Sequence, residues 1–267
     1  MKIIISPAKK MVTDDGLAWK ALPVFLEQAE ELKETIQRLP YEEAKALWKC
    51  NDQIAKLNYE RFAQMELRQN LTPAILSYEG IQYRYMAPGV FTQDCLDYIQ
   101  GHLFILSGFY GVLRPFDGIT PYRLEMQAKL PVSGHEDLYG FWGDRLYRQV
   151  TEEDRVILNL ASQEYARCVF PFLKPGDHFV TCIFAERKQG KIIQKGTLAK
   201  MARGEMVRFL AETKAQQPED AIAFDRLGFR YHEELSREKE FVFLKEEKGA
   251  ERLLIQRKTT TAFPQTG

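Results

Sequence analysis

Several features that would assign a chain to a functional class at once are missing from this sequence. Its 37 Lys and Arg residues balance 37 Asp and Glu residues, so the formal charge is zero. A generally basic nucleic-acid coat is therefore excluded. No apolar run reaches the roughly 18 residues that a membrane-spanning helix needs, and we expect no membrane association. Intrinsic disorder is excluded by 17 Phe, 12 Tyr and 3 Trp residues, because disordered chains contain few aromatics.

Cysteine and histidine are scarce and scattered. The four cysteines, Cys50, Cys95, Cys168 and Cys182, show no C-x-x-C spacing, so we predict reduced thiols in a cytoplasmic protein. The four histidines are far apart in the sequence, and neither a metal site nor a cofactor is predicted. The G-x-S-x-G, Walker A, G-x-G-x-x-G and H-E-x-x-H patterns are also absent.

Apolar periodicity predicts strands and helices that alternate irregularly. Strands are expected at 2–6, 73–78, 102–107, 156–161, 180–184, 191–194, 221–224 and 240–244, and helices at 22–38, 41–62, 94–101, 163–169 and 197–211. This order predicts a mixed α+β protein of the α/β class, with a mixed sheet surrounded by helices. We expect one large domain over residues 1–257 and a frayed tail over residues 258–267.

The balanced charge is unevenly distributed along the chain. Residues 27–47 hold six acidic and three basic residues, whereas residues 187–208 hold seven Lys and Arg and one Glu. Lys200 and Arg203 lie three residues apart on the predicted helix, and Arg208 follows. Because arginine presents a planar fork that matches two phosphate oxygens, a phosphate-binding surface is one interpretation. A solvated basic face is the other.

A second charged cluster lies in the irregular segment 108–126. Prolines close to Arg114 and Arg123 restrict the backbone, so both guanidinium groups would lose little entropy on binding an anion. Glu125 follows Arg123 by two residues and could orient an arginine or act as a general base. A salt-bridged loop that closes over the core fits the same residues.

Two further groups combine aromatic or polar residues. In segment 138–144, Trp142 could stack on a base, although aromatic clusters are more often core. Asn159 lies in an apolar strand, where an unbonded amide is costly, and Ser162 and Glu164 follow at a helix start. Ligands of open α/β sheets bind at such strand ends, whereas a hydrogen-bonded core asparagine is the alternative for Asn159.

Five sequence blocks occur in one order: IIISPAKKM, LSGFYGVLRPFDGITPYRLEM, DLYGFWGD, VILNLASQEY and AKMARGEMVRF. Together they resemble the bacterial YaaA peroxide-stress family from residue 3 to about residue 209. The resemblance implies a cytosolic protein that limits peroxide damage to DNA and protein and lowers unincorporated iron. It also implies a single-domain α/β fold that binds DNA through a positively charged cleft and a helix-hairpin-helix element.

The resemblance carries over to individual positions. DNA- or anion-binding roles are implied for Lys9, Arg114, Tyr122, Arg123, Trp142, Asn159, Ser162, Lys200, Arg203 and Arg208. The hairpin is expected at residues 107–112, with Ser107, Gly108 and Gly111 as its candidate residues. The matching carboxylates are Glu125 and Glu164.

We therefore expect binding to double-stranded or structured DNA, largely independent of sequence, with Lys9, Arg114 and Arg123 lining one cleft together with the basic helix. The competing hypothesis is an enzyme that holds a phosphorylated or carboxylate small molecule and uses Glu125 or Glu164 as a base. An iron-handling protein would need three convergent ligands. An open groove favours DNA binding, whereas a pocket in which a carboxylate meets the arginines favours an enzyme. The oligomeric state is left open.

Overall fold

A computed structural model describes residues 1–246 of the chain. The strands in chain order are β1 (Lys2–Ile5), β2 (Lys10–Met11), β3 (Thr72–Pro73), β4 (Tyr78–Glu79), β5 (Leu103–Ser107), β6 (Gly111–Leu113), β7 (Gly118–Ile119), β8 (Val156–Asn159), β9 (His178–Lys188), β10 (Lys191–Ile193), β11 (Phe229–Tyr231) and β12 (Glu240–Lys245). Eight of them form the main sheet in the order β11-β12-β9-β8-β1-β5-β6, with β10 paired to β9. Two small antiparallel pairs, β2 with β4 and β3 with β7, lie outside it.

Helices flank the sheet and fill the connections between its strands. They are α1 (Leu26–Gln37), α2 (Tyr41–Trp48), α3 (Asp52–Ala63), α4 (Ala74–Ser77), α5 (Ile81–Met86), α6 (Gln93–His102), α7 (Leu138–Trp142), α8 (Arg145–Val150), α9 (Gln163–Ala166) and α10 (Gly196–Thr213). Short 3-10 helices span Pro88–Val90, Phe170–Phe172, Pro218–Ala223, Arg226–Gly228 and Glu233–Leu235. The predicted mixed α/β architecture is confirmed.

The centre of the sheet is parallel. Strand β1 pairs in parallel with β5 and β8, β8 with β9, and β9 with β12, while β6 and β11 pair antiparallel at the two edges. Parallel strands covered on both faces read as continuous apolar runs, and Ile3, Ile4 and Ile5 are accordingly fully buried. The carboxyl ends of β1 and β8 therefore meet at one edge of the fold.

Strand β10 extends the sheet beyond the end of β8. At Glu186, one edge of β9 is occupied by Lys245 of β12 and the other by Ile193 of β10. Strand β8 uses this second edge only as far as Thr181, its partner for Asn159. The β9–β10 hairpin thus projects past the carboxyl end of β8.

Two predicted elements in the first third of the chain are wrong in detail. The helix predicted at 41–62 is divided, because Lys49 takes a left-handed backbone conformation and the Asn51 side chain accepts a hydrogen bond from the Ile54 amide at 2.9 Å, capping α3. The strand predicted at 73–78 is mostly helix α4. A short buried apolar run has the same pattern in a strand and in a helix.

The strand predicted at 221–224 is also wrong. Pro218 begins a 3-10 helix there, and a reciprocal capping box between Gln217 and Asp220 closes its first turn. The predicted hairpin of β9 and β10, the helix α10 and the strand β12 are confirmed. The four cysteines are free, as predicted. The tail predicted at 258–267 lies outside the described residues, and the domain boundary at 257 stays a prediction.

Candidate functional site

A cavity of about 380 Å³ opens where the chain leaves β1 and β8. Ser6 and Lys9 follow β1, Ser162 and Glu164 follow β8, and all four line the cavity. The carboxyl ends of parallel strands are the common ligand-binding edge of open α/β sheets. The charged residues of the lining are Lys9, Lys10, Glu79, Arg123, Glu125, Glu164, Lys200 and Arg203.

One wall of the cavity depends on a close approach between α10 and α5. A Cβ atom at Gly204 would lie 2.1 Å from the backbone oxygen of Gln82 and 2.9 Å from the backbone nitrogen of Met86. Only glycine permits this contact, because any side chain would overlap the α5 backbone. The approach joins the two helices that contribute Gln82, Lys200 and Arg203 to the cavity lining.

Glu125 is held between two cations. Its Oε2 atom lies 2.9 Å from Lys9 Nζ, and its Oε1 atom lies 3.1 Å from Arg123 Nη2. Arg123 and Glu125 are only 10% and 16% exposed, whereas Lys9 is 63% exposed. Arg123 Nη2 also donates to the backbone oxygen of Trp48 at 3.4 Å. The carboxylate and the arginine are thus fixed in the wall, with the lysine at the mouth.

A second carboxylate, Glu164, is half-buried at the same cavity. Burial raises its pKa, and the charge of Glu125 contributes in the same direction. Glu164 Oε1 accepts a hydrogen bond from the backbone nitrogen of Gln127 at 3.3 Å. Glu164 therefore retains a proton more readily than an ordinary glutamate.

Lys200 and Arg203 differ from the other cations of the lining because neither forms an ion pair within residues 1–246. Lys200 is exposed at the mouth. The Nε atom of Arg203 is buried and has no hydrogen-bond acceptor in this part of the chain. Burial lowers the pKa of Arg203, because desolvation disfavours the charged form.

Tyrosines are among the less polar residues of the lining. The hydroxyl of buried Tyr122 lies 2.6 Å from Ser107 Oγ and 2.8 Å from the Tyr78 hydroxyl. Burial raises the pKa of Tyr122 to about 12. Tyr83 donates its hydroxyl to the backbone oxygen of Ser6 at 3.0 Å. Both hydroxyls are thus engaged within the protein.

Arg114 lies at the opposite end of the sheet, so the predicted convergence of Arg114 with Lys9 is wrong. Its Nη2 atom pairs with Glu153 Oε1 at 3.2 Å, and Lys2 Nζ pairs with Glu153 Oε2 at 2.5 Å. Lys2 begins β1, whereas Lys9 follows its end. Arg114 follows β6, which runs antiparallel to β5, and this direction carries it to the amino end of β1.

Trp142 cannot stack on a base, because its side chain is fully buried. Its Nε1 atom donates to the backbone oxygen of Gly108 at 3.0 Å, and its ring packs on Phe25. The predicted binding role is wrong, and the core alternative is correct.

Asn159 is a satisfied core asparagine. Its Nδ2 atom donates to Thr181 Oγ1 at 3.2 Å, and its Oδ1 atom accepts from the backbone nitrogen of Ala161 at 2.9 Å. Ser162 does line the cavity, but its side chain does not cap α9. Its Oγ lies 3.1 Å from Ser6 Oγ instead and joins the two strand ends.

The segment 107–112 is a tight turn between two antiparallel strands. Ser107 ends β5, Gly111 begins β6 with φ of 72°, and the Ser107 Oγ accepts from the amides of Phe109 and Tyr110. Placing a helix-hairpin-helix element at Ser107, Gly108 and Gly111 is therefore wrong, because the elements that flank this turn are the strands β5 and β6.

The basic residues of segment 187–208 lie in different surroundings in the structure. Arg208 is absent from the cavity lining and pairs with Glu212, Nε to Oε1 at 2.8 Å. Arg187 pairs with Glu246, and Lys195 with Glu186. Among the described residues of this stretch, only the basic residues Lys200 and Arg203 line the cavity.

Comparison with known proteins agrees with the resemblance of the sequence blocks. A family model described as "Peroxide stress protein YaaA" matches residues 1–235. The chain belongs to the YaaA peroxide-stress family. A UPF0246 protein of Lachnoclostridium phytofermentans is similar, with 56% identity over 248 residues that cover 92% of this chain and 97% of that protein. A UPF0246 protein of Desulfitobacterium hafniense is 55% identical over 246 residues, which cover 92% of this chain and 98% of that protein. A UPF0246 protein of Lactiplantibacillus plantarum is 54% identical over 246 residues, which cover 91% and 99%.

Several lining residues of this YaaA-family member escaped prediction. Gln82 and Glu79 belong to a region with no charge cluster, and Lys10 stands out in the sequence only as the neighbour of Lys9. Gly204 stands out only as part of a sequence block. A glycine in the middle of an otherwise helical pattern was the one available signal, because it often marks close packing.

Two findings bear on other classes of function. Within residues 1–246, no group of three or more His, Cys, Asp or Glu side chains is placed to hold a metal ion. None of the helices described is both long enough and apolar enough to cross a membrane.

Proposed function

We propose that this YaaA-family protein acts in peroxide stress by binding the phosphate backbone of double-stranded or structured DNA, largely independently of sequence. The supporting observation is the pairing of two lysines on the β9–β10 hairpin. Lys188 and Lys191 are direct cross-strand partners, both are exposed, and neither forms an ion pair within residues 1–246. Like charges directly opposite each other destabilise a strand pair, and a polyanion relieves that repulsion.

The hairpin lies at the same end of the sheet as the cavity, because β10 extends past the carboxyl end of β8. Lys200, exposed and without an ion pair among the described residues, adds a third cation near the start of α10. The proposed DNA surface consists of these three lysines. It extends outward from the mouth of the cavity, where Lys200 belongs to both, since DNA whose major groove alone is about 12 Å wide does not enter 380 Å³.

Charge reversal of the hairpin tests this proposal. We expect Lys188→Glu/Lys191→Glu to weaken duplex binding and to reduce the slope of log affinity against log salt by about two, one for each phosphate contact. The measurement is fluorescence anisotropy with a labelled duplex and a four-way junction. Lys49→Glu/Lys239→Glu is the matched control, because both lysines are exposed and form no ion pair within residues 1–246. Equal affinity and slope for the two double variants would refute the proposal.

The effects on peroxide survival and free iron belong to the same proposal. Cells that lack the protein should regain peroxide survival with the wild-type chain but not with Lys188→Glu/Lys191→Glu. Unincorporated iron, measured by electron paramagnetic resonance of a chelated fraction, should fall only where survival returns. Full rescue by the double variant would separate the stress role from DNA binding.

An enzyme that acts on a phosphorylated or carboxylate small molecule is the second candidate. It is favoured by one observation, the contact of Glu125 with Arg123 in the wall of a cavity. If it is correct, Glu125→Gln should abolish turnover and leave DNA affinity unchanged. Absence of turnover by the wild type across phosphomonoesters and small carboxylates would remove this candidate.

A further inference from the structure

We infer that the cavity at the carboxyl ends of β1 and β8 is a binding site for a small phosphomonoester, with Lys200 and Arg203 as its cationic ligands. The inference takes its site from the second candidate function and shares only Lys200 with the proposed DNA surface. It concerns the chemical class of the ligand and requires no turnover.

The first support is the charge of the lining. Five cationic and three acidic residues line the cavity, a surplus of two positive charges. Lys9 and Arg123 pair with Glu125, and Lys10 pairs with Glu79 at 2.6 Å. Lys200 and Arg203 are the two lining cations without an acidic partner in the described part of the chain, and a phosphomonoester carries close to two negative charges at neutral pH.

The second support is a set of donors without acceptors. The Nε atoms of Arg203 and Arg123 and the Nε2 atom of Gln82 are buried and make no hydrogen bond within residues 1–246. All three residues line this cavity. Buried polar side-chain atoms are nearly always hydrogen-bonded, so three unsatisfied donors on residues that line one cavity favour a ligand rich in acceptors. Phosphate provides three such oxygens, and the arginine fork matches two of them.

The third support is the size and shape of the site. A volume of about 380 Å³ is in the range of small-molecule pockets. The rings of Tyr83, Tyr122 and Tyr165 contribute to the lining, and at least the hydroxyls of Tyr83 and Tyr122 are engaged elsewhere. The site therefore combines a cationic side for the phosphate with aromatic surface for a ring. The carboxyls of Glu125 and Glu164 lie at the same cavity and can accept or donate a proton beside the ligand.

Calorimetric titration with phenyl phosphate, inorganic phosphate and benzoate tests the assignment. We expect the wild-type protein to bind phenyl phosphate more tightly than inorganic phosphate, and benzoate most weakly. Arg203→Gln and Lys200→Gln should each weaken phenyl phosphate binding by about tenfold or more. Lys239→Gln, which removes an exposed lysine outside the cavity, is the matched control. Equal affinity for benzoate and phenyl phosphate would overturn the phosphate assignment.

Further outcomes separate this inference from the other proposals. Arg203 is partly buried, so the thermal unfolding of Arg203→Gln is measured without ligand to show that this variant folds. Lys200 is exposed, so Lys200→Gln leaves the packing intact. Unchanged binding in both variants would overturn the inference. Lys188→Glu/Lys191→Glu should bind phenyl phosphate with wild-type affinity. A loss in that double variant would place the ligand on the hairpin and refute the cavity site. Binding without turnover supports the inference and counts only against the enzyme.

Discussion

The two ends of the parallel sheet contain the same types of charged residue in different arrangements. At the amino end, Lys2 and Arg114 share Glu153, so each of these cations contacts a carboxylate. At the carboxyl end, Lys200 and Arg203 lie around a cavity without an ion-pair partner in residues 1–246. The cations at the amino end are already in contact with a carboxylate. Unpaired charges beside a partly enclosed space are available to a ligand, and this difference separates a structural network from a candidate site.

The largest expected effect is at the amino end, in Asp117→Asn. Asp117 is buried beside Arg114, and burial raises the pKa of its carboxyl from 3.8 to about 7. Between these values the folded protein keeps a proton that the unfolded chain has lost. This contribution to stability is therefore complete below about pH 4 and is lost as the pH rises to about 7. At 1.36 kcal/mol per pKa unit, its ceiling is about 4 kcal/mol.

Urea unfolding from pH 4 to pH 8 measures this effect. The free energy of unfolding of Asp117→Asn should rise relative to the wild type across the interval. Asp94→Asn is the control, because the hydrogen bond from Lys214 lowers the pKa of Asp94 from its ordinary 3.8. The stability that Asp94 provides is lost only below about pH 4, so the difference between this variant and the wild type should stay constant from pH 4 to pH 8. Parallel curves for wild type and Asp117→Asn would show that the buried carboxyl does not titrate as described.

An intermediate effect is expected at the carboxyl end, in Gly204→Ala. The added methyl group would overlap the backbone oxygen of Gln82 and should destabilise the protein by about 1–3 kcal/mol, the usual range for overpacking. Gly196→Ala on the same helix is the matched control, because a Cβ atom at that position would meet no described atom within 4 Å. Chemical denaturation measures both. Equal stability of the two variants would mean that the contact of α10 with α5 does not build this end of the sheet.

The smallest effect is expected for Arg114→Gln. Arg114 and Glu153 are 44% and 54% exposed, and exposed ion pairs contribute less than about 1 kcal/mol. Binding of phenyl phosphate and of DNA should not change. Arg123→Gln is the matched variant at the other end and should lower the free energy of unfolding by about 1–3 kcal/mol, because its partner Glu125 is mostly buried. Chemical denaturation measures both variants. A larger loss for Arg114→Gln would reverse the comparison between the two ends.

The elements predicted correctly are those whose signal is local. The run of three isoleucines predicts β1, the turn at 188–191 predicts the β9–β10 hairpin, and helical spacing predicts α10. The strand predicted at 73–78 failed because an apolar run of that length does not distinguish a strand from a buried helix. For the site, charge, strand ends and the sequence blocks point to eight residues that the structure places at one cavity: Lys9, Tyr122, Arg123, Glu125, Ser162, Glu164, Lys200 and Arg203.

Other predicted site residues were wrong because local sequence does not determine whether a side chain is buried or how far it lies from the cavity. Trp142 and Arg114 carry suitable chemistry, but one is enclosed in the core and the other lies at the far end of the sheet. Gln82 had no chemical signal, and it lies in the lining where Gly204 allows α10 to approach α5 closely.

The sequence by itself determined the family, the mixed α/β class and the types of residue available for binding an anion, because motifs and periodicity are properties of neighbouring residues. Only the tertiary structure decided which charges are neutralised by a partner and which remain around a cavity. Pairing depends on distances between residues far apart in the chain, such as Lys9 and Glu125. Strand direction and helix packing fix those distances, and neither can be read from the order of the residues.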